Sequence, residues 1–189
     1  MLQTTQTVYI ICLYGLFDPH RRTAVEMQGY REYLVACARE VALCPCDVTV
    51  ILAGGKTSSL PISEAESVLD FFNDVLNTLS NRVCPVCNIL LEDGSVNAPQ
   101  NILFSLQRIK AVGLMPKQVV ICSDAVRRFS IRVVAWRLLR GEHAYLWKVC
   151  GFKRADIHPN STWRRQLFFA LGYLLYPKKL RERLRIAGR

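Results

Sequence analysis

Four short stretches, far apart along the chain, collect residues able to grip a polar ligand: Gly15 with Asp18; Ala53-Gly54-Gly55 followed by Ser63-Glu64; Glu92, Ser95, Asn97 and Asn101; and Ser123-Asp124 with Arg127 and Arg128 just beyond. The residue types point to a particular chemistry. Glu64 and Glu92 can accept hydrogen bonds from ribose hydroxyls or an amino group, and Ser95, Asn97 and Asn101 are neutral partners that both donate and accept. A Gly-Gly pair lets backbone approach a ligand closely. Ser63 and Asn97 each have a plainer reading as helix caps, and a Gly-Gly pair alone often does no more than turn the chain. The only histidines are His20, His143 and His158, all outside these stretches. A general base would therefore have to be a carboxylate, and binding is a safer reading than catalysis.

These residues matter only if the fold brings them together. Short β-rich runs alternate with longer helical patterns, which predicts an α/β fold, a Rossmann-like three-layer sandwich around a mainly parallel five-stranded sheet. Strands are expected at 8–13, 48–52, 88–91, 118–122 and 144–149, with helices at 23–41, 64–79 and 125–140 and another from Asn97 to the stop at Gly113. Ser63-Glu64-Ala65-Glu66 has the spacing of a capping box, and Asn97 with Gln100 can cap a helix whose Pro99 sits in the tolerated first turn. Ile102, Leu103, Leu106 and Ile109 form one expected core stripe; Phe129, Val133, Val134 and Trp136 form another. Ligands of such sheets bind beyond the carboxyl ends of the strands. Each polar stretch falls at one of those exits, where a helix N-terminus offers N–H groups to an anion or a polyhydroxy group.

The order of these motifs resembles the YdcF/SanA/ElyC family, a bacterial domain of unknown function. That family has a strand, Ser-Gly-Gly, a Ser-Glu-Ala opening a helix, a Glu-x-x-Ser-x-Asn-Thr-x-Glu-Asn stretch, and a strand leading into Thr-Ser with a His and an Arg beyond. This chain carries Ala53-Gly54-Gly55, Ser63-Glu64-Ala65, Glu92 through Asn101 with Ser95 and Asn97 in place, and Cys122-Ser123. It departs at Ala53, Ala98 and Gln100, and about Val126 stands where the His is expected, so any proton transfer by that His is missing. Arg127 or Arg128 would supply the arginine. The resemblance spans about residues 7–150 and implies a doubly wound fold with a small polar, nucleotide-like ligand at the motifs. The resemblance further implies S-adenosylmethionine as a candidate ligand, as in one branch, and an envelope-related role, as in others. No established reaction comes with it.

Eight cysteines without a secretion signal read as thiols rather than disulfides. Cys12, Cys37, Cys122 and Cys150 fall on apolar faces of expected elements and read as small core residues. Cys44-Pro45-Cys46 and Cys84-Pro85-Val86-Cys87 each precede a strand, at the rim away from the ligand stretches. If the second and third strands are neighbours, Cys44, Cys46, Cys84 and Cys87 could together hold a structural zinc; plain loop cysteines are the competing account.

Charge is unevenly spread within the net +10. Residues 127–189 hold 16 of the 25 Lys/Arg and three acids, whereas residues 1–126 sum to −3. A basic segment of this kind calls for an anionic partner or simply forms a solvated face. Residues 1–160 read as the α/β domain and 161–189 as a basic amphipathic helix and tail, packed on it or appended to it. The apolar run Leu167 to Tyr176 is too short to cross a bilayer. Its aromatic residues beside cations suit the surface of an acidic membrane, which supports an alternative function as a non-catalytic membrane-surface factor. Nucleic-acid binding is disfavoured because no recognition motif accompanies the charge. The absence of a signal-peptide pattern reads as a cytoplasmic location, with peripheral membrane association as the added expectation.

Overall fold

A computed structural model describes residues 7–18, 25–57, 61–80, 87–140, 146–153 and 163–175. Strands β1 (Thr7–Cys12), β2 (Val48–Ala53), β3 (Cys87–Glu92), β4 (Gln118–Asp124) and β5 (Leu146–Phe152) alternate with helices α1 (Val25–Ala42), α2 (Glu64–Ser80), α3 (Ala98–Ala111) and α4 (Arg128–Leu139), and α5 (Trp163–Leu175) follows. The five strands form one sheet in the order β3-β2-β1-β4-β5, and every pairing is parallel. This is the Rossmann-like α/β sandwich expected from the alternation of periods.

Side-chain alternation builds the two cores. Tyr9, Ile11 and Leu13 of β1 and its exit point to one face and pack with α1 and α2, while Val8, Ile10 and Cys12 point to the other and pack with residues of α3, α4 and α5. Strands β1 and β2 are buried along their whole length, as strands covered on both faces must be. Strand order reverses between β1 and β4, which leaves a crevice beyond their carboxyl ends. There the Tyr33 hydroxyl sits between two strand carbonyls, donating to Cys12 O at 2.8 Å with Cys122 O at 3.1 Å.

Among the described residues, most expected boundaries hold within a residue, and the larger shifts fall around α4 and at the end of β5. Strand β4 runs two residues further than expected, so Ser123 and Asp124 end the strand rather than follow it, and α4 starts at Arg128 instead of residue 125. Strand β5 continues to Phe152, past the expected end at 149. The core stripe of α4 is also different: Phe129 and Trp136 are 50% and 41% exposed, whereas Ile131, Val134, Ala135 and Leu139 are buried together with Val133. The physical reason is α5, which packs along α4 and accepts a hydrogen bond from Ser130 at Gln166 (2.9 Å). With sheet and helix covering two sides, the third side carries Phe129 and Trp136. Leu103 of α3 is half-buried, outside the fully buried stripe.

Candidate functional site

Three strand exits are stitched into one corner by backbone hydrogen bonds. Gly54 N–H donates to Glu92 O at 2.9 Å, and Gly55 N–H donates to Ser95 O at 2.9 Å, tying the end of β2 to the loop after β3. The carbonyls of the same glycines accept from the first turn of α2: Glu64 N–H to Gly55 O at 3.0 Å and Ala65 N–H to Gly54 O at 2.9 Å. Close approach explains the glycines. A Cβ on Gly55 would stand 2.1 Å from Ser95 O, and one on Gly54 would stand 2.8 Å from the Glu64 carboxylate. Gly15 is needed for a different reason, its φ of 114°.

Around this strap lies a cleft of about 180 Å³ lined by Leu13, Tyr14, Thr57, Glu64, Arg127 and Asn101, with residues 95–98 forming its remaining wall. Glu64 is buried and accepts a hydrogen bond from the Thr57 hydroxyl. Burial pushes its pKa up, against the opposing effects of Thr57, the Gly15 N–H and the positive charge of Arg127. The Arg127 guanidinium lies 3.8 Å from the centre of the Tyr14 ring and 3.1 Å from Asp124, whose other oxygen accepts from the Arg127 N–H at 2.9 Å. Asn101 spans the parting strands, donating to Ala53 O at 2.9 Å with Leu13 O at 3.5 Å. Ser95 Oγ, beside the Glu92 carboxylate, and Tyr14 Oη are buried without a well-formed hydrogen bond among the described residues.

The expected site residues therefore divide. Glu64, Ser95, Asn97, Asn101 and Arg127 reach the cleft wall. Gly15, Gly54 and Gly55 shape the backbone behind it. Ser63 is the N-cap of a reciprocal capping box: its Oγ accepts from Glu66 N–H at 3.0 Å and its N–H donates to Glu66 at 2.7 Å. Glu92 stands at the same corner, but its Oε1 accepts from the N–H groups of Gly94 (2.9 Å) and Ser95 (3.0 Å), so it holds its own loop rather than the cleft wall. Burial pushes the Glu92 pKa up despite those bonds. Ser123 is buried and donates to Asp124 O at 2.8 Å. Between the two arginines the geometry selects Arg127, since Arg128 is exposed and lies over Gly151.

Helix ends contribute fewer free donors than their sequence promises. In α3, Asn97 Oδ1 accepts from Gln100 N–H (3.1 Å), Asn97 O accepts from Asn101 N–H (3.0 Å), and Pro99 has no N–H. In α2 the first-turn donors go to Gly54, Gly55 and Ser63. Anion capture by a bare helix N-terminus is accordingly weakened, and the cleft is left with a carboxylate, hydroxyls, side-chain amides and the Arg127 guanidinium. Thr57 and Tyr14 are the two polar wall residues that sequence reasoning missed, beside the apolar Leu13, Val96 and Ala98; the signal available was adjacency, Thr57 two positions after Gly-Gly and Tyr14 one before Gly15.

At the opposite rim, Cys44 and Cys46 have their sulfurs 3.0 Å apart, and β2 pairs with β3 so that Cys87 lies opposite Val48. Cys84 lies outside the described residues, as do all three histidines. Among the described residues no group of three or more metal-binding side chains gathers. Cys12, Cys37 and Cys122 are buried in the core, with Cys150 half-buried. Among the described residues no helix is long and apolar enough to cross a membrane.

Comparison of the chain with family models, with curated proteins and with solved structures yields no match.

Proposed function

We propose that the chain binds a small polar ligand at the strand exits, taking a hydroxyl- or amino-bearing part of it into the cleft between Glu64, Ser95, Asn101 and Arg127. The observation that carries this reading is a buried carboxylate facing a cleft with the buried Ser95 on its wall, at a corner where the helix-end N–H groups are largely occupied by protein acceptors. Such a lining suits hydroxyl and amino donors better than a bare phosphate. The size sets a limit. About 180 Å³ is below the roughly 300–1,000 Å³ of pockets that engulf whole drug-sized ligands, so one sugar-sized moiety enters and the rest lies across the rim. A nucleoside-type ligand fits that division, as does the motif order shared with YdcF-like proteins; S-adenosylmethionine belongs to this class and would enter by its ribose or its amino group. The proposal is one of binding: Glu64 is the only carboxylate among the described wall residues, and no reaction is assigned to it.

A thermal-shift panel of nucleosides, nucleotides, sugar nucleotides and S-adenosylmethionine, run on wild type and Glu64→Gln, tests it. A ligand at about one hundred times its Kd stabilises by about 2.7 kcal/mol, a readily measured shift that Glu64→Gln should largely remove. If none of the panel shifts wild type, or if the shift persists in both Glu64→Gln and Arg127→Gln, the cleft is not the site.

A further inference from the structure

Helix α5 presents an apolar face that no described element covers. It is fixed to α4 on its inner side: Ala170 and Tyr173 are buried, Gln166 accepts from Ser130 at 2.9 Å, and Arg137 donates to Leu174 O at 2.6 Å. On the outer side Phe168, Leu171 and Leu175 follow one another at i, i+3 and i+7, the spacing of a single helix face. They are 71%, 44% and 70% exposed, and Leu167 beside them is 38% exposed. Large apolar side chains scattered over a surface need no account, but an aligned stripe on one helix does.

The charge on the same helix identifies the partner. Arg164 and Arg165 occupy the first turn and are exposed, and α5 contains no acidic residue. Cations at a helix N-terminus oppose the macrodipole, although the placement of Arg165 also sets its guanidinium 5.5 Å from the centre of the Phe169 ring. The pair adds positive potential beside the apolar stripe, and the sequence after α5 adds Lys178, Lys179, Arg181, Arg183 and Arg185 against Glu182. We propose that α5 docks this face on an anionic membrane surface, lying parallel to it with Phe168, Leu171 and Leu175 at the acyl–headgroup boundary and the arginines on lipid phosphates. A second copy of the chain is the poorer occupant. Two such faces would bring Arg164 and Arg165 against their counterparts, and four side chains offer much less than the roughly 800 Å² per partner of a stable interface. The stripe is also short: seven residues of helix rise cover about 10 Å, enough to rest in an interface and too little to span one.

Flotation of the full chain with vesicles of phosphatidylcholine alone, and of phosphatidylcholine with about a third phosphatidylserine, tests the proposal. Wild type should float with the acidic vesicles at low salt, bind neutral ones at least about tenfold more weakly, and lose most binding at about 0.5 M salt. Phe168→Glu with Leu171→Glu and Leu175→Glu should abolish flotation while the melting temperature stays near that of wild type, because these side chains are outside the core. Arg164→Glu with Arg165→Glu should weaken it about tenfold or more. Equal recovery with neutral and acidic vesicles, or undiminished flotation of a folded triple variant, overturns the proposal. So does a wild-type dimer by light scattering that the triple variant dissolves, in the absence of vesicle binding. The salt dependence of wild type needs no variant and stands if the triple variant does not fold. The panel that tests the cleft reads a different surface, so the two outcomes are independent.

Discussion

Gly55→Ala is the sharpest perturbation of the corner that builds the cleft. The added Cβ would sit 2.1 Å from Ser95 O and 2.6 Å from Asp93 O, both backbone atoms. A flexible side chain could swing away from such a contact; a backbone carbonyl must take its loop with it. Relief requires a retreat of about 1 Å, and that loop is held from behind by the two hydrogen bonds that Glu92 accepts from Gly94 and Ser95. The retreat also breaks the Gly55 N–H to Ser95 O bond. Forcing an extra methyl into a packed site costs about 1–3 kcal/mol, and the lost hydrogen bond adds about 1 kcal/mol. The sum, about 2–4 kcal/mol, corresponds to a fall in melting temperature of about 5–15 °C for a chain of 189 residues. Calorimetry or circular dichroism on wild type and Gly55→Ala measures this directly. A melting temperature within about 2 °C of wild type would mean that the strap is not clamped between β3 and α2, and the reasoning that assembles the cleft from separate strand exits would fall with it.

Gly54→Ala is also crowded, since its Cβ would stand 2.8 Å from the Glu64 Cβ and 2.9 Å from the Leu13 Cβ, atoms fixed to their own backbones: stability should fall by about 1–3 kcal/mol, and ligand-induced stabilisation should be lost because Glu64 is displaced. For Glu64 and Glu92, burial raises the folded-state pKa above the unfolded value, so the folded protein binds protons more tightly. Stability must then fall as pH rises from the unfolded carboxylate range near about 4.3 through the folded pKa values, and level off above them. Urea melts of Glu64→Gln across pH 4.5–7.5 should show a shallower slope than wild type and no loss of stability at neutral pH; a steeper slope would refute the assignment. Glu92→Ala leaves the N–H groups of Gly94 and Ser95 without their acceptor and should cost about 2–4 kcal/mol, whereas Glu92→Gln keeps an acceptor and should cost less than about 1 kcal/mol by the same melts. Phe129→Ser should change stability by less than about 0.5 kcal/mol, in contrast to about 1 kcal/mol or more for Val134→Ala, which hollows the core of α4.

Much of this was legible in the sequence because it is local. The capping box at Ser63 and Glu66 and the Asn97 cap with Pro99 behind it are set within four residues, and both form as their spacing predicts. The alternation of β-rich and helical periods carries the parallel sheet, since no other arrangement covers two-faced apolar strands such as β1 and β2 so economically. What was not legible depends on contacts between distant residues. Phe129 and Trp136 fit an apolar helical stripe, yet α5 covers a neighbouring side of α4 through Ser130 and Gln166, 36 positions apart, and leaves them outside. The same holds for Thr57 and Tyr14, whose roles exist only once Glu64 and Arg127 are brought beside them.

The fate of the two glutamates shows how a fold separates construction from recognition. Both stand where a buried strand or loop surfaces, both are buried, and both are pushed toward higher pKa by that burial. Sequence alone gives them equal standing. Glu92, however, ends β3 with two N–H groups of its own loop within reach, and its Oε1 is committed to them, while its Oε2 is buried away from the cleft wall. Glu64 opens α2, where the strap carbonyls and the Ser63 cap already satisfy the neighbouring N–H groups, so its side chain meets Thr57, the Gly15 N–H and the field of Arg127 instead. One carboxylate thereby fixes the loop that presents Ser95, and the other is left on the wall of the cleft with hydrogen-bonding capacity to offer. Substituting the first should disturb folding before binding, and substituting the second should disturb binding alone; the reverse pattern would mean that the cleft recognises its ligand from the β3 side.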